Sequence, residues 1–161
     1  MIRFPARFAP ALAIMLLTVA ALAANLKNES LGGFKLGDPV KTVTDKLGPP
    51  PQKKGPDYAG EATGEWQYYY RYPDLGLDFT FVSSSKQGKG KELRLGDIRA
   101  YGPATAKTTT GIGVGSTKAE VKKAYGSTDD ITDEKEWCGL FIKYKGDQVE
   151  ELNLSFTKMP E

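Results

Sequence analysis

Five carboxylates crowd one short stretch of the chain: Asp129, Asp130, Asp133, Glu134 and Glu136. Oxygen donors at that density suit a hard cation such as calcium, which also needs a glycine to let the loop turn around the ion. No glycine lies inside the cluster, so a solvated loop is expected and no metal site is assigned. The chain contains no histidine. That removes the usual general base near neutral pH and the commonest nitrogen ligand for metals. Ser-His-Asp and Cys-His machinery and the usual His-containing zinc sites go with it. Carboxylates alone can hydrolyse glycosides, but none stand here at a recognisable spacing. The run from Gly111 to Lys118 (GIGVGSTK) has the glycine content of a phosphate loop without the order GxxxxGK[ST] or the spacing GxGxxG, so no cofactor is expected. The single cysteine, Cys138, has apolar neighbours in Trp137 and Leu140. Burial is expected ahead of an intermolecular bridge. The chemistry on offer is not that of an enzyme.

Recognition is better served. In Trp66-Gln67-Tyr68-Tyr69-Tyr70-Arg71-Tyr72, strand alternation puts Trp66, Tyr68, Tyr70 and Tyr72 on one face and Gln67, Tyr69 and Arg71 on the other. The first set reads as core. Tyr and Arg on the second are residue types that anchor protein interfaces, since Tyr in particular offers large area at low rotamer cost. If helices cover Leu77, Phe79, Leu140 and Ile142, the opposite face presents Tyr69, Arg71, Phe141 and Lys143. Those four are the candidate partner-binding residues. The polar loop 83–91 carries Lys86, Lys89 and Lys91; it reads as a solvated hairpin tip rather than a headgroup or glycan site.

The elements that must position these residues come from a repeat. Gly33-Phe34-Lys35-Leu36-Gly37, then Val43, then Leu47-Gly48 is matched, 78 positions later, by Gly111-Ile112-Gly113-Val114-Gly115, Val121 and Tyr125-Gly126. Such spacing predicts two copies of one unit sharing a core. Asp38 with Pro39 opens the first helix as N-cap and first helical residue, and Thr117 with Glu120 forms a capping box for the second. Pro49-Pro50-Pro51 stops the first. Strands follow over Trp66–Tyr72, around Leu77-Phe79-Phe81, over Leu93–Tyr101, around Leu140-Ile142-Tyr144, and around Leu152-Leu154-Phe156. The predicted fold is α+β: two tandem helix-plus-β-meander repeats, 31–101 and 111–158 with linker 102–110, forming one curved antiparallel sheet with helices on one face.

The stretches Gly37-Asp38-Pro39-Val40-Lys41-Thr42-Val43 and Gly115-Ser116-Thr117-Lys118-Ala119-Glu120-Val121, closed by Gly48 and Gly126, resemble the helix motif of tandem-repeat exported proteins. These are similar to the beta-lactamase inhibitor protein and, more distantly, to the SmpA/OmlA outer-membrane assembly lipoproteins. The resemblance implies a protein-binding sheet face and no bond-making chemistry. The chain departs from both in lacking the inhibitor's cysteine pairs and the lipoproteins' acylated cysteine.

Residues 1–24 have the form of a cleaved secretory signal: Arg3 and Arg7, an apolar run over Ala11–Leu22, and Ala21-Leu22-Ala23 at the cut. No cysteine follows for lipid attachment, so a periplasmic or secreted protein without a stable membrane anchor is expected, with 25–161 as a single domain. Without the leader, 22 cations become 20 against 20 acids, and the near-zero charge argues against nucleic acid. The expected function is a non-catalytic module binding an envelope or secreted protein, as an inhibitor or immunity protein. The alternative is an envelope-assembly or cell-wall and lipid-binding scaffold. Oligomeric state is left open.

Overall fold

The computed structural model describes residues 26–59, 64–87 and 93–158. The leader and residues Lys89 and Lys91 lie outside the described residues.

Helix α1 spans Val40–Leu47; its apolar stripe buries Val43 and packs Val40 and Leu47 against the core. Its start corrects the sequence reading. Pro39, not Asp38, takes the cap position and makes no side-chain cap bond. The Asp38 carboxylate turns back to accept the Lys35 N–H at 2.9 Å, a local bond that competes with capping. Helix α2, Lys118–Tyr125, starts as expected. Thr117 Oγ1 accepts the Glu120 N–H at 3.2 Å and Glu120 Oε2 accepts the Thr117 N–H at 2.7 Å.

Among the described residues seven strands make one antiparallel sheet: β1 (Gln52–Tyr58), β2 (Trp66–Tyr72), β3 (Leu77–Ser83), β4 (Arg94–Tyr101), β5 (Ile131–Asp133), β6 (Cys138–Lys145) and β7 (Gln148–Phe156). Their order is β1-β2-β3-β4-β7-β6-β5, which gives the α+β architecture. Strands β4 and β7 meet at the centre, with Ile98 opposite Leu154 and Ala100 opposite Leu152. The core face is apolar along every central strand: Tyr70, Phe79, Ile98, Leu152 and Leu140 are buried in one cluster with Val43, Val121 and Tyr125 of the helices.

Two strands were not foreseen. β1 begins just after the prolines and β5 lies within the acidic stretch. They are the edges of the sheet, and both are poor templates for further pairing. β1 carries Lys53, Lys54 and Pro56 with a register shift between Lys54 and Asp57; β5 is three residues long.

Two pairs of bonds recur at matching places. Gly37 N–H donates to Leu95 O and Leu95 N–H to Asp38 O, at 2.7 and 2.8 Å; Gly115 N–H donates to Val149 O and Val149 N–H to Ser116 O, both at 2.8 Å. Each strand so engaged then slips its register by one residue. Leu95 and Ile98 in β4, and Val149 and Leu152 in β7, are buried three positions apart instead of two. These bulges return the strands' polar residues to the open face.

Glu29 ties the start of the described chain to the rest. Its Oε1 accepts the backbone N–H groups of Thr109 at 2.7 Å and Ser30 at 3.0 Å, and Oε2 accepts the Tyr125 hydroxyl at 3.0 Å. Burial, with the neighbouring carboxylate, pushes the Tyr125 phenol up to about 12. Glu29→Ala takes the acceptor from the Thr109 N–H and the Tyr125 hydroxyl, while the Ser30 N–H keeps Thr109 Oγ1 at 3.2 Å; it is expected to lower the stability measured by urea denaturation by about 2–3 kcal/mol.

Candidate functional site: the open face of the sheet

Register fixes which side chains share the face opposite the core. One row runs Tyr69, Thr80, Asp97, Ser155, Gly139 across β2, β3, β4, β7 and β6. The next runs Arg71, Asp78, Arg99, Asn153, Phe141, and beyond it stand Tyr101, Glu151 and Lys143. The four residues singled out from the sequence therefore lie on one face. They do not form one patch. β2 and β6 are four strand spacings apart, about 19 Å at about 4.8 Å each.

Between them the face sinks into a cleft of about 380 Å³, whose lining includes Tyr69, Arg71, Asp78, Asp97, Arg99 and Asn153. Phe141 and Lys143 line a neighbouring hollow of about 250 Å³ that shares Asn153. Phe141 is half-buried because its ring lies across Gly139: a Cβ placed on Gly139 would stand 2.8 Å from the ring. Lys143 is exposed and paired with Glu150 at 3.0 Å.

The charges on the cleft are mostly matched. Arg99 Nη2 donates to Glu151 at 2.7 Å, and its guanidinium lies 5.3 Å from the Tyr101 ring centre. The Tyr101 hydroxyl donates to Asp78 at 3.2 Å, and Arg71 Nε stands 4.0 Å from the same carboxylate. Asp97 differs. Burial pushes its carboxyl above the ordinary range, opposed by side-chain hydrogen bonds from Asn153 and Ser155 and by the Arg99 charge. The Ser155 bond is shared, because its one proton also faces Phe156 O at 3.2 Å and Gly96 O at 3.5 Å.

No protein family, curated protein or solved structure matches the chain. The site must speak for itself.

What it adds to the sequence reading is the floor of the cleft: Thr80, Asp97, Arg99, Asn153 and Ser155. The outward alternation of Asp97 and Arg99 with Ile98 and Ala100, and of Asn153 and Ser155 with Leu154, was a usable signal. Trp137 was missed as well. It is 48% exposed, holds a φ of 49°, and lies 5.1 Å from the ammonium of Lys158, which lines the cleft. A bulky residue in the left-handed region is uncommon and needs support from its surroundings; the Thr157 N–H supplies some by donating to Trp137 O at 2.7 Å.

Other features fall to structural roles. Asp130 accepts the Ile142 N–H at 2.9 Å, and Asp133 accepts those of Lys135 and Glu136 at 3.1 and 3.2 Å. Among the described residues no group of three or more acids and cysteines is placed to hold a metal ion, and no helix is long and apolar enough to cross a membrane. Cys138 is buried, and burial raises its thiol pKa. Ellman's reagent is expected to leave the native protein unmodified and to react once denaturant is added.

Proposed function

We propose that the protein is an exported recognition module without catalytic activity, which covers an envelope or secreted protein with its open sheet face. An inhibitor or immunity protein for a periplasmic or secreted enzyme is the specific form. One observation carries this: the open face offers a shaped polar cleft with Tyr69 and Arg71 on its wall, while both sheet edges are blunted against strand addition. Export rests on the leader pattern of residues 1–24. The tandem architecture, with 31–101 and 111–158 as units and both helices on one side, is supported by the recurring bonds at Gly37 and Gly115 and by the matched bulges.

Affinity capture from envelope extracts with the tagged 25–161 chain tests the reading. A partner held by the wild type and lost with Tyr69→Ala plus Phe141→Ala supports the face; equal capture by both removes it.

A second reading has one arrangement in its favour. Asp97, its carboxyl raised by burial, feels the charge of Asp78 in the same cleft, and glycosidases work with a pair of carboxyl groups. Asp78 is already occupied by Tyr101 and Arg71, which favours binding. Hydrolysis of peptidoglycan or polysaccharide, abolished by Asp97→Asn, would establish the second reading.

A further inference from the structure

One acceptor on the open face is left over. Asn153 Oδ1 is buried, yet has no hydrogen-bond partner among the described residues. The Asn153 side chain hydrogen-bonds Asp97 through its NH₂, and its oxygen is the atom left without a partner. A buried polar atom without a partner calls for an explanation. Here it adjoins the Asp97 carboxylate, which feels the Arg99 charge but makes no ion pair within 4 Å among the described residues. Arg99 is engaged by Glu151, Arg71 stands beside Asp78, and Lys158 stacks on Trp137. The cleft thus ends in two adjacent acceptors with the nearby cations spoken for.

We propose that this part of the cleft, at Asp97 and Asn153, receives the guanidinium of an arginine side chain presented by the protein partner. The proposal rests on the recognition reading above and names its chemistry. A guanidinium supplies several N–H donors in a plane, so it can serve a carboxylate and a neighbouring amide oxygen together. An ammonium is a point charge held more tightly by water. The half-buried Tyr69 stands on the wall of the same cleft. The cleft volume of about 380 Å³ is within the size range of small-ligand sites.

The test titrates the 25–161 protein with N-acetyl-arginine amide and, separately, with its citrulline analogue, which keeps the shape and loses the charge. NMR shifts are followed at Asp97, Asn153 and Ser155. Millimolar binding of the arginine compound centred on these residues is expected, with the citrulline compound and Asp97→Asn each weaker by about tenfold or more. Equal binding of both compounds, shifts centred elsewhere, or no shifts at all overturn the proposal. The citrulline comparison needs no variant, so it decides even if the substitution disturbs the sheet. The two readings fail separately: a partner captured through Tyr69 without arginine binding keeps recognition and removes the cation site. Arginine binding with no captured protein keeps the site and removes the protein partner.

Discussion

Gly76→Ala is expected to cost about 3–5 kcal/mol and to leave much of the protein unfolded at 37 °C. Gly76 closes the turn between β2 and β3 with a φ of +61°, and a Cβ there would lie 2.1 Å from Tyr101 O and 2.6 Å from Ala104 N. Both obstacles are backbone, so no rotamer change relieves them and the turn must move. Movement would break the 2.9 Å bond from Tyr101 N–H to Gly76 O and shift the end of β4, which carries Tyr101 onto the open face. Gly37→Ala is the control. Gly37 also has a left-handed φ, +84°, but nothing lies within 4 Å of its missing Cβ. Its cost should be only the conformational part, about 1–2 kcal/mol. Urea midpoints for the two variants check the difference; equal losses would mean that the contact at Gly76 is not what matters.

Asp97→Asn is expected to act in opposite directions on stability and on binding. Burial raises the Asp97 pKa in the folded chain, so the folded state holds this proton over a range where the unfolded chain has released it. The sign follows. The carboxylate's penalty is absent below the ordinary carboxylate range, grows between that range and the raised folded pKa, and is fully present above the folded pKa. Asp78 adds to the rise, whereas Arg99, Asn153 and Ser155 oppose it. Removing the charge should therefore raise Tm near pH 7 by about 4 °C, the shift that about 1 kcal/mol makes in a domain of this size. Near pH 3, where the wild-type carboxyl is itself protonated, the difference should vanish. The same substitution should weaken partner capture. A residue that costs stability and carries function is the usual sign of a site under selection for binding. A lower Tm for Asp97→Asn at pH 7 would show that the carboxylate is a structural anchor instead.

The central strands were legible because their chemistry alternates. Leu77, Phe79 and Phe81 point inward and Asp78 and Thr80 outward, and the sheet keeps that order. The turn Pro73–Gly76 and the capping box at Thr117 were legible for similar reasons: each is a local device whose residues lie within four positions. The edges were hidden. Gln52–Tyr58 has almost no buried side chain; backbone pairing to β2 holds it, and its Lys and Pro content reads as loop. Ile131–Asp133 contributes one buried residue from within a run of acids. The cap at α1 was misread because Asp38 had two local bonds available and the sequence does not rank them.

The site was half legible. Tyr69 and Arg71 stood out as interface residue types on a readable strand. Asp97 and Asn153 did not, because their meaning comes from the β4–β7 pairing, which joins residues far apart in sequence. The bulge at Gly96 is what aligns them. Leu95 and Ile98 are both fully buried, so the extra residue between them sets Asp97 on the open side. The spacing of three between those two apolar residues was the available clue. Phe141 and Lys143 share that face but line a separate hollow, since three strands, β3, β4 and β7, stand between β2 and β6.

The claim on which the account turns is that recognition happens on the open sheet face and not on the helices. Photo-crosslinking tests it directly, with benzoyl-phenylalanine placed at Thr80 in the cleft or at the exposed Lys122 of α2, and each protein irradiated in envelope extract. The account predicts a discrete protein adduct from position 80 and none from position 122. An adduct formed from position 122 alone would contradict it.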